Sequence, residues 1–147
     1  AYSEPKVGSQ FRVYFPAASG SAAEVIDTQS EEIPRGAGEL ILVVDDEASV
    51  RDITRQTLET FGYRALTATD GADALARYAE RRNEIALVLT DLMMPVMDGN
   101  ALIEVLARLT PGGRIIAASG LHTHGQVLRA LESRVQAFLE KPYTAET

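Results

Sequence analysis

Cysteine is absent from the 147-residue chain, which excludes disulfide staples, thiolate metal sites and a cysteine nucleophile. Basic residues are scarce, 14 against 21 acidic ones, and the net charge is −7. A protein that binds nucleic acid by neutralising phosphates needs a basic stripe, so this balance argues against that class. No apolar run approaches the roughly 20 residues of a membrane span, and no secretory signal pattern opens the sequence. Histidine occurs only at His122 and His124, a spacing that reads as a polar loop rather than a metal pair. A core, by contrast, is well supplied: 46% of the residues are hydrophobic, and a chain of this size buries roughly two-thirds of its surface. The expectation is a soluble, acidic, cytoplasmic protein with one core.

Two textures divide the chain. Residues 1–16 contain a β-prone run, Phe11-Arg12-Val13-Tyr14-Phe15, closed by Pro16; a lone strand is not stable by itself. Ala17 to Gly38 is rich in Ala, Ser, Gly and Glu and reads as a flexible linker. From Glu39 to Thr147 aliphatic runs alternate with amphipathic stretches. Leu40–Val44 is a short, β-branched aliphatic run, hence a strand buried on both faces. Val50, Ile53, Thr57, Leu58 and Phe61 follow helical spacing, with Gly62 as the stop. Arg64–Thr69 predicts a second strand, and Asp70 a cap for a helix through Ala74, Leu75 and Tyr78. Ile85–Leu89 is a third strand. Leu102, Val105, Leu106 and Leu109 mark a helix that Pro111-Gly112-Gly113 ends. Ile115–Ala118 predicts a fourth strand, Val127, Leu128 and Leu131 a helix face, and Ala137–Leu139 a fifth strand. Strict alternation implies right-handed crossovers and a doubly wound parallel sheet, an α/β fold.

Chemistry in such a sheet gathers beyond the carboxyl ends of the strands. The residues there are Asp45, Asp46 and Glu47 after the first strand, Thr90-Asp91 after the third, Ser119-Gly120 after the fourth and Glu140-Lys141-Pro142 after the fifth. Each alone has a duller reading as a cap, a turn or a solvated lysine; their joint occurrence at four strand ends reads as a site. Crowded carboxylates repel one another and lose hydration, so they remain anionic only among cations. Hard oxygen donors without His or Cys select magnesium or a similar ion, and Lys141 supplies a fixed positive charge. An Asp beside both cations can act as a carboxylate nucleophile, and a transferring phosphoryl group needs a metal, an ammonium and a hydroxyl around its oxygens. Met93, Met94 and Met97 read as packing and backbone-carbonyl positions.

At these residues the chain resembles the response-regulator receiver domain of two-component signalling. The matching segments are Ile41-Leu42-Val43-Val44-Asp45-Asp46-Glu47, Thr90-Asp91-Leu92-Met93-Met94-Pro95-Val96-Met97-Asp98-Gly99, Ala118-Ser119-Gly120 and Phe138-Leu139-Glu140-Lys141-Pro142. The resemblance implies a flavodoxin-like, CheY-like five-stranded sheet of order 2-1-3-4-5. It implies Asp91 as phosphoacceptor, and Asp46, Asp91 and the Met93 carbonyl as ligands of Mg2+, with Asp45 acting mostly through water. Lys141 would contact the phosphoryl group and pair with Asp91 beforehand, Ser119 would hydrogen-bond a phosphoryl oxygen, and Phe138 would turn inward with it. The Lys141–Pro142 bond would be cis. Pro5 to Pro16 resembles the closing strand of a histidine-kinase ATPase domain, which implies a hybrid histidine kinase as parent, a transferase that could itself be membrane-anchored. The implied partners are the kinase domain of the same parent or a histidine phosphotransfer protein, with neither nucleic acid nor direct membrane contact. As a fragment it would catalyse only its own phosphorylation and dephosphorylation.

Departures from the family pattern set further expectations. A last amphipathic helix is implied after Pro142, where the chain ends at Thr147; the expectation is a truncated helix and an apolar stripe left bare on the first and fifth strands, inviting self-association or cover by Phe11–Phe15. Ser133-Arg134-Val135-Gln136 stands where a small residue and glycine are common. The alternative function is a receiver-like interaction module that is never phosphorylated. A phosphatase with an aspartate nucleophile would want a second Asp where Met93 stands, and a flavin phosphate would be repelled by Asp45-Asp46.

Overall fold

The computed structural model describes residues 2–4, 8–10, 34–120 and 129–143. Contacts divide the chain into two units, Ala1–Glu31 and Glu32–Thr147. In the first, β1 (Tyr2–Glu4) and β2 (Gly8–Gln10) pair antiparallel, Tyr2 opposite Gln10, a hairpin the sequence reading does not anticipate. Phe11–Phe15 and residues 17–33 of the expected linker lie outside the described residues, as do His122, His124, Val127 and Leu128.

The second unit is the α/β domain. Its elements are β3 (Leu40–Val44), α1 (Ala48–Thr60), β4 (Arg64–Ala68), α2 (Gly71–Arg81), β5 (Ile85–Asp91), α3 (Gly99–Leu109), β6 (Ile115–Ser119) and β7 (Ala137–Glu140), with residues 129–131 helical before β7. All five strands run parallel in the order β4-β3-β5-β6-β7, the 2-1-3-4-5 arrangement, with β4 and β7 at the edges. Residues before Glu39 already pair with the domain: Gly36 N–H donates to Phe61 O at 2.8 Å and Gly38 N–H to Gly62 O at 3.0 Å.

Alternation along β3 builds two cores. Leu42 and Val44 face one side, where α2, α3 and the helix at 129–131 contribute Ala74, Tyr78, Leu102, Ile103, Leu106 and Leu131. Ile41 and Val43 face the other, with Leu89 and Ala118, against Leu58 of α1, Tyr63 and Tyr143. Those last three explain why the first strand is not bare: Ile41 and Val43 are 6% and 1% exposed. On the fifth strand Leu139 is half-buried rather than bare, as are Leu87 and Ile116 on the strands between.

Two helix faces are corrected. Ile53 is 66% exposed, and the buried position of α1 is its neighbour Thr54. In α3 Leu109 points outward, and Ile103 fills the core beside Leu102 and Leu106. Asp70 caps α2 as expected, accepting from Ala72 N and Asp73 N; Asp98 caps α3, accepting from Ala101 N at 2.8 Å, satisfying donors a first turn leaves open, while α1 starts without a side-chain cap.

Candidate functional site

Parallel pairing brings four strand ends to one edge. Asp45 follows β3 directly. β5 and β6 run further than the sequence pattern predicts, so Asp91 and Ser119 are their terminal residues rather than loop residues, with Asp91 opposite Ala118 and Ser119 opposite Glu140. Membership of the ladder fixes both backbones, and Asp45, Asp91 and Ser119 are all buried. Lys141 leaves β7 with its N–H donating to Ser119 O at 2.8 Å, and a cis bond joins it to Pro142.

The centre of the site is an ion triad. Lys141 Nζ donates to Asp45 Oδ2 and to Asp91 Oδ2, both at 2.6 Å. The sequence reading anticipates the second contact and misses the first, because nothing local says which carboxylate the ammonium reaches. Each aspartate spends its other oxygen on backbone: Asp45 Oδ1 accepts from Glu47 N at 2.9 Å, Asp91 Oδ1 from Met93 N at 3.1 Å. Burial pulls the Lys141 ammonium toward the neutral form, but hydrogen bonds and charges from Asp45 and Asp91 outweigh it and hold the pKa above the ordinary lysine value.

Asp46 completes an acidic group. Ligand oxygens of Asp45, Asp46 and Asp91 lie within 4.8 Å of one another, Asp46 exposed to solvent. The donor set is all carboxylate, which fits a hard divalent ion that retains waters. Met93 presents an exposed side chain, and Met94 is buried in the core, Met97 packed against it. Phe138 is half-buried against the α2/α3 core.

The β5–α3 loop owes its path to one glycine. Gly99 N–H donates to Leu92 O at 3.1 Å, and a Cβ on Gly99 would sit 2.1 Å from Asp91 O. Only hydrogen in place of a side chain allows α3 to begin this close to the strand end. Within the loop Val96 takes φ 65°, the left-handed region that disfavours a β-branched residue.

Sheet order, triad and acidic group together are the architecture of a signalling receiver. The chain belongs to the response regulator receiver domain family, which it matches over residues 41–147, and is thus a receiver domain of two-component signalling. It is 31% identical over 107 residues to the chemotaxis protein CheY of Thermotoga maritima, covering 72% of this chain and 88% of that one. It is also 31% identical over 128 residues to the sensor histidine kinase RcsC of Escherichia coli, covering 87% of this chain but 13% of RcsC. Among solved structures, a response regulator receiver domain protein from Clostridium thermocellum superposes with a TM-score of 0.69 at 30% identity, covering 73% of this chain and 85% of that one. A complex of CheX, CheY, BeF3 and Mg2+ from Borrelia burgdorferi is similar at a TM-score of 0.68 and 27% identity, covering 73% of this chain and 81% of that one.

Proposed function

We propose that Asp91 accepts a phosphoryl group from a phosphohistidine and that Lys141 and Ser119 assist. The observation that carries this is the Lys141 ammonium, 2.6 Å from both Asp45 and Asp91: it sets a positive charge beside the buried carboxylate and places a donor where phosphoryl charge would gather. In the step, a carboxylate oxygen of Asp91 forms the new P–O bond, the P–N bond to the donor imidazole breaks, and the ring nitrogen keeps the electron pair and takes a proton from solvent. Lys141 and the Ser119 hydroxyl donate to the phosphoryl oxygens. Asp46, Asp91 and the Met93 carbonyl, with Asp45, would hold Mg2+, which when bound offsets the charge of the phosphoryl oxygens. The Mg2+ and BeF3 of the CheY complex support this assignment by likeness.

The RcsC matches run to 128 residues for Escherichia coli and 107 for Salmonella, at 31% and 35% identity, where the CheY match runs to 107. This supports placing the chain as the receiver of a hybrid sensor kinase, supplied by the kinase domain of its own parent or by a histidine phosphotransfer protein. The location that follows is cytoplasmic; no described helix is long and apolar enough to cross a membrane.

The test is to incubate the chain with magnesium and a small acyl phosphate and measure its mass. Uptake of one labile phosphoryl group, abolished by Asp91→Asn, is the expected result. An unchanged wild-type mass under conditions that load other receivers would leave the unphosphorylated interaction module as the better reading.

A further inference from the structure

Helix α1 reaches two of the strand ends that form the site. Arg51 Nη1 donates to the main-chain carbonyl of Asp45 at 2.7 Å. One turn on, Thr54 is 6% exposed, the buried residue of this helix, and its hydroxyl lies 3.2 Å from the hydroxyl of Tyr143. Tyr143 is two residues past Lys141, and its ring packs on the core of Ile41, Val43, Leu89 and Ala118.

Packing does not account for these hydroxyls. Valine would fill the space of Thr54 and phenylalanine that of half-buried Tyr143, whereas the buried Thr54 hydroxyl costs stability unless it is bonded. What the pair adds is direction. It joins residues 89 positions apart, tying the segment after β7 to a helix whose previous turn grips Asp45. Lys141 lies two residues before Tyr143, bonds Asp45 through its ammonium and has its own N–H held by Ser119.

We propose that Thr54 and Tyr143 are positioning residues for Lys141: their hydroxyl bond fixes the segment that carries the ammonium, and so sets its reach across Asp45 and Asp91. The proposal rests on the reading of Asp91 as phosphoryl acceptor and goes beyond it, since neither residue touches the reacting atoms. A displacement near 1 Å at such a site lowers a rate far more than it weakens binding.

The test uses the full chain as wild type, Tyr143→Phe, Thr54→Val, the double variant and Thr54→Ser. Two quantities are measured: the rate of phosphoryl uptake from a small acyl phosphate at saturating magnesium, and amide hydrogen exchange over residues 138–143. Either single change is expected to lower the maximal uptake rate about tenfold, leave the half-saturating donor concentration unchanged and speed exchange at Lys141 and Tyr143. The double variant should be no slower than the slower single, because both remove one bond. Thr54→Ser, which keeps the hydroxyl, should restore the wild-type rate. Variants that melt earlier yet load at the wild-type rate, or losses that add in the double variant, would overturn the positioning role while leaving Asp91 as acceptor. A wild type that takes up no phosphoryl group overturns both.

Discussion

The two ends of the parallel sheet are made by the same five strands and hold charge in opposite ways. At the carboxyl end Asp45, Thr90, Asp91 and Ser119 are buried, and Lys141 joins two of them. At the amino end Ile85, Leu87, Val88, Leu106 and Ile115, together with the exposed Arg82 and Arg114, line a pocket of about 210 Å³. There the charges stay in solvent, Glu84 meeting Arg81 at 2.7 Å and Arg64 at 3.6 Å. In a parallel sheet each helix starts where the preceding strand ends, so helix N-termini, with their partial positive charge, lie at the carboxyl end; α2 and α3 begin there on Asp70 and Asp98. Buried charge is stable where donors converge, and an ion pair in water contributes little. The same kind of substitution should therefore matter at one end and not at the other.

The largest effect expected is from Lys141→Met, which leaves two buried carboxylates facing each other and should cost about 3 kcal/mol in urea unfolding at neutral pH. The raised pKa of Lys141 sets the pH dependence. Its stabilising share is complete below the ordinary value of 10.5 and disappears as pH climbs through the higher folded value. The gap in melting temperature between wild type and this variant should hold from neutral to mildly alkaline pH and close in strongly alkaline solution.

Gly99→Ala comes next. A methyl 2.1 Å from Asp91 O must push α3 off the strand end, for about 2 kcal/mol of lost stability and slower phosphoryl uptake. Val96→Asn should instead stabilise by about 1 kcal/mol, since asparagine tolerates the left-handed region better than valine; an unchanged midpoint would show that this loop has relaxed. Smallest is Glu84→Gln at the amino end, where the melting temperature should stay within error of wild type. If it falls as far as in Lys141→Met, the contrast between the ends is lost.

Much of this was legible in the residues. Five aliphatic runs fall within a residue or two of the observed strands, and reading the polar residue after each run locates Asp45, Asp91, Ser119 and Lys141 together. What escaped is non-local. Hydropathy assigned Ile53 to the core because it cannot see that Thr54, with a hydroxyl partner on Tyr143, is satisfied there. Leu109 went inward on the same logic, although Thr110 ends the helix beside it. That Lys141 also reaches Asp45 depends on the distance between strand ends, which composition does not encode. The turn before β7 lacks glycine yet closes, because Gln136 makes up the pairing itself: its side-chain carbonyl accepts from Ile115 N and its own N–H donates to Ile115 O.

The rims of the sheet carry one more implication. Among the described residues β4 and β7 pair on one side only, and an unpaired rim can recruit a neighbouring molecule into endless sheet growth. Both rims are short, five and four residues. The charged Arg64 opens one, and Pro142, which has no N–H to offer, follows close behind the other. A stacking copy would find few partners at either border.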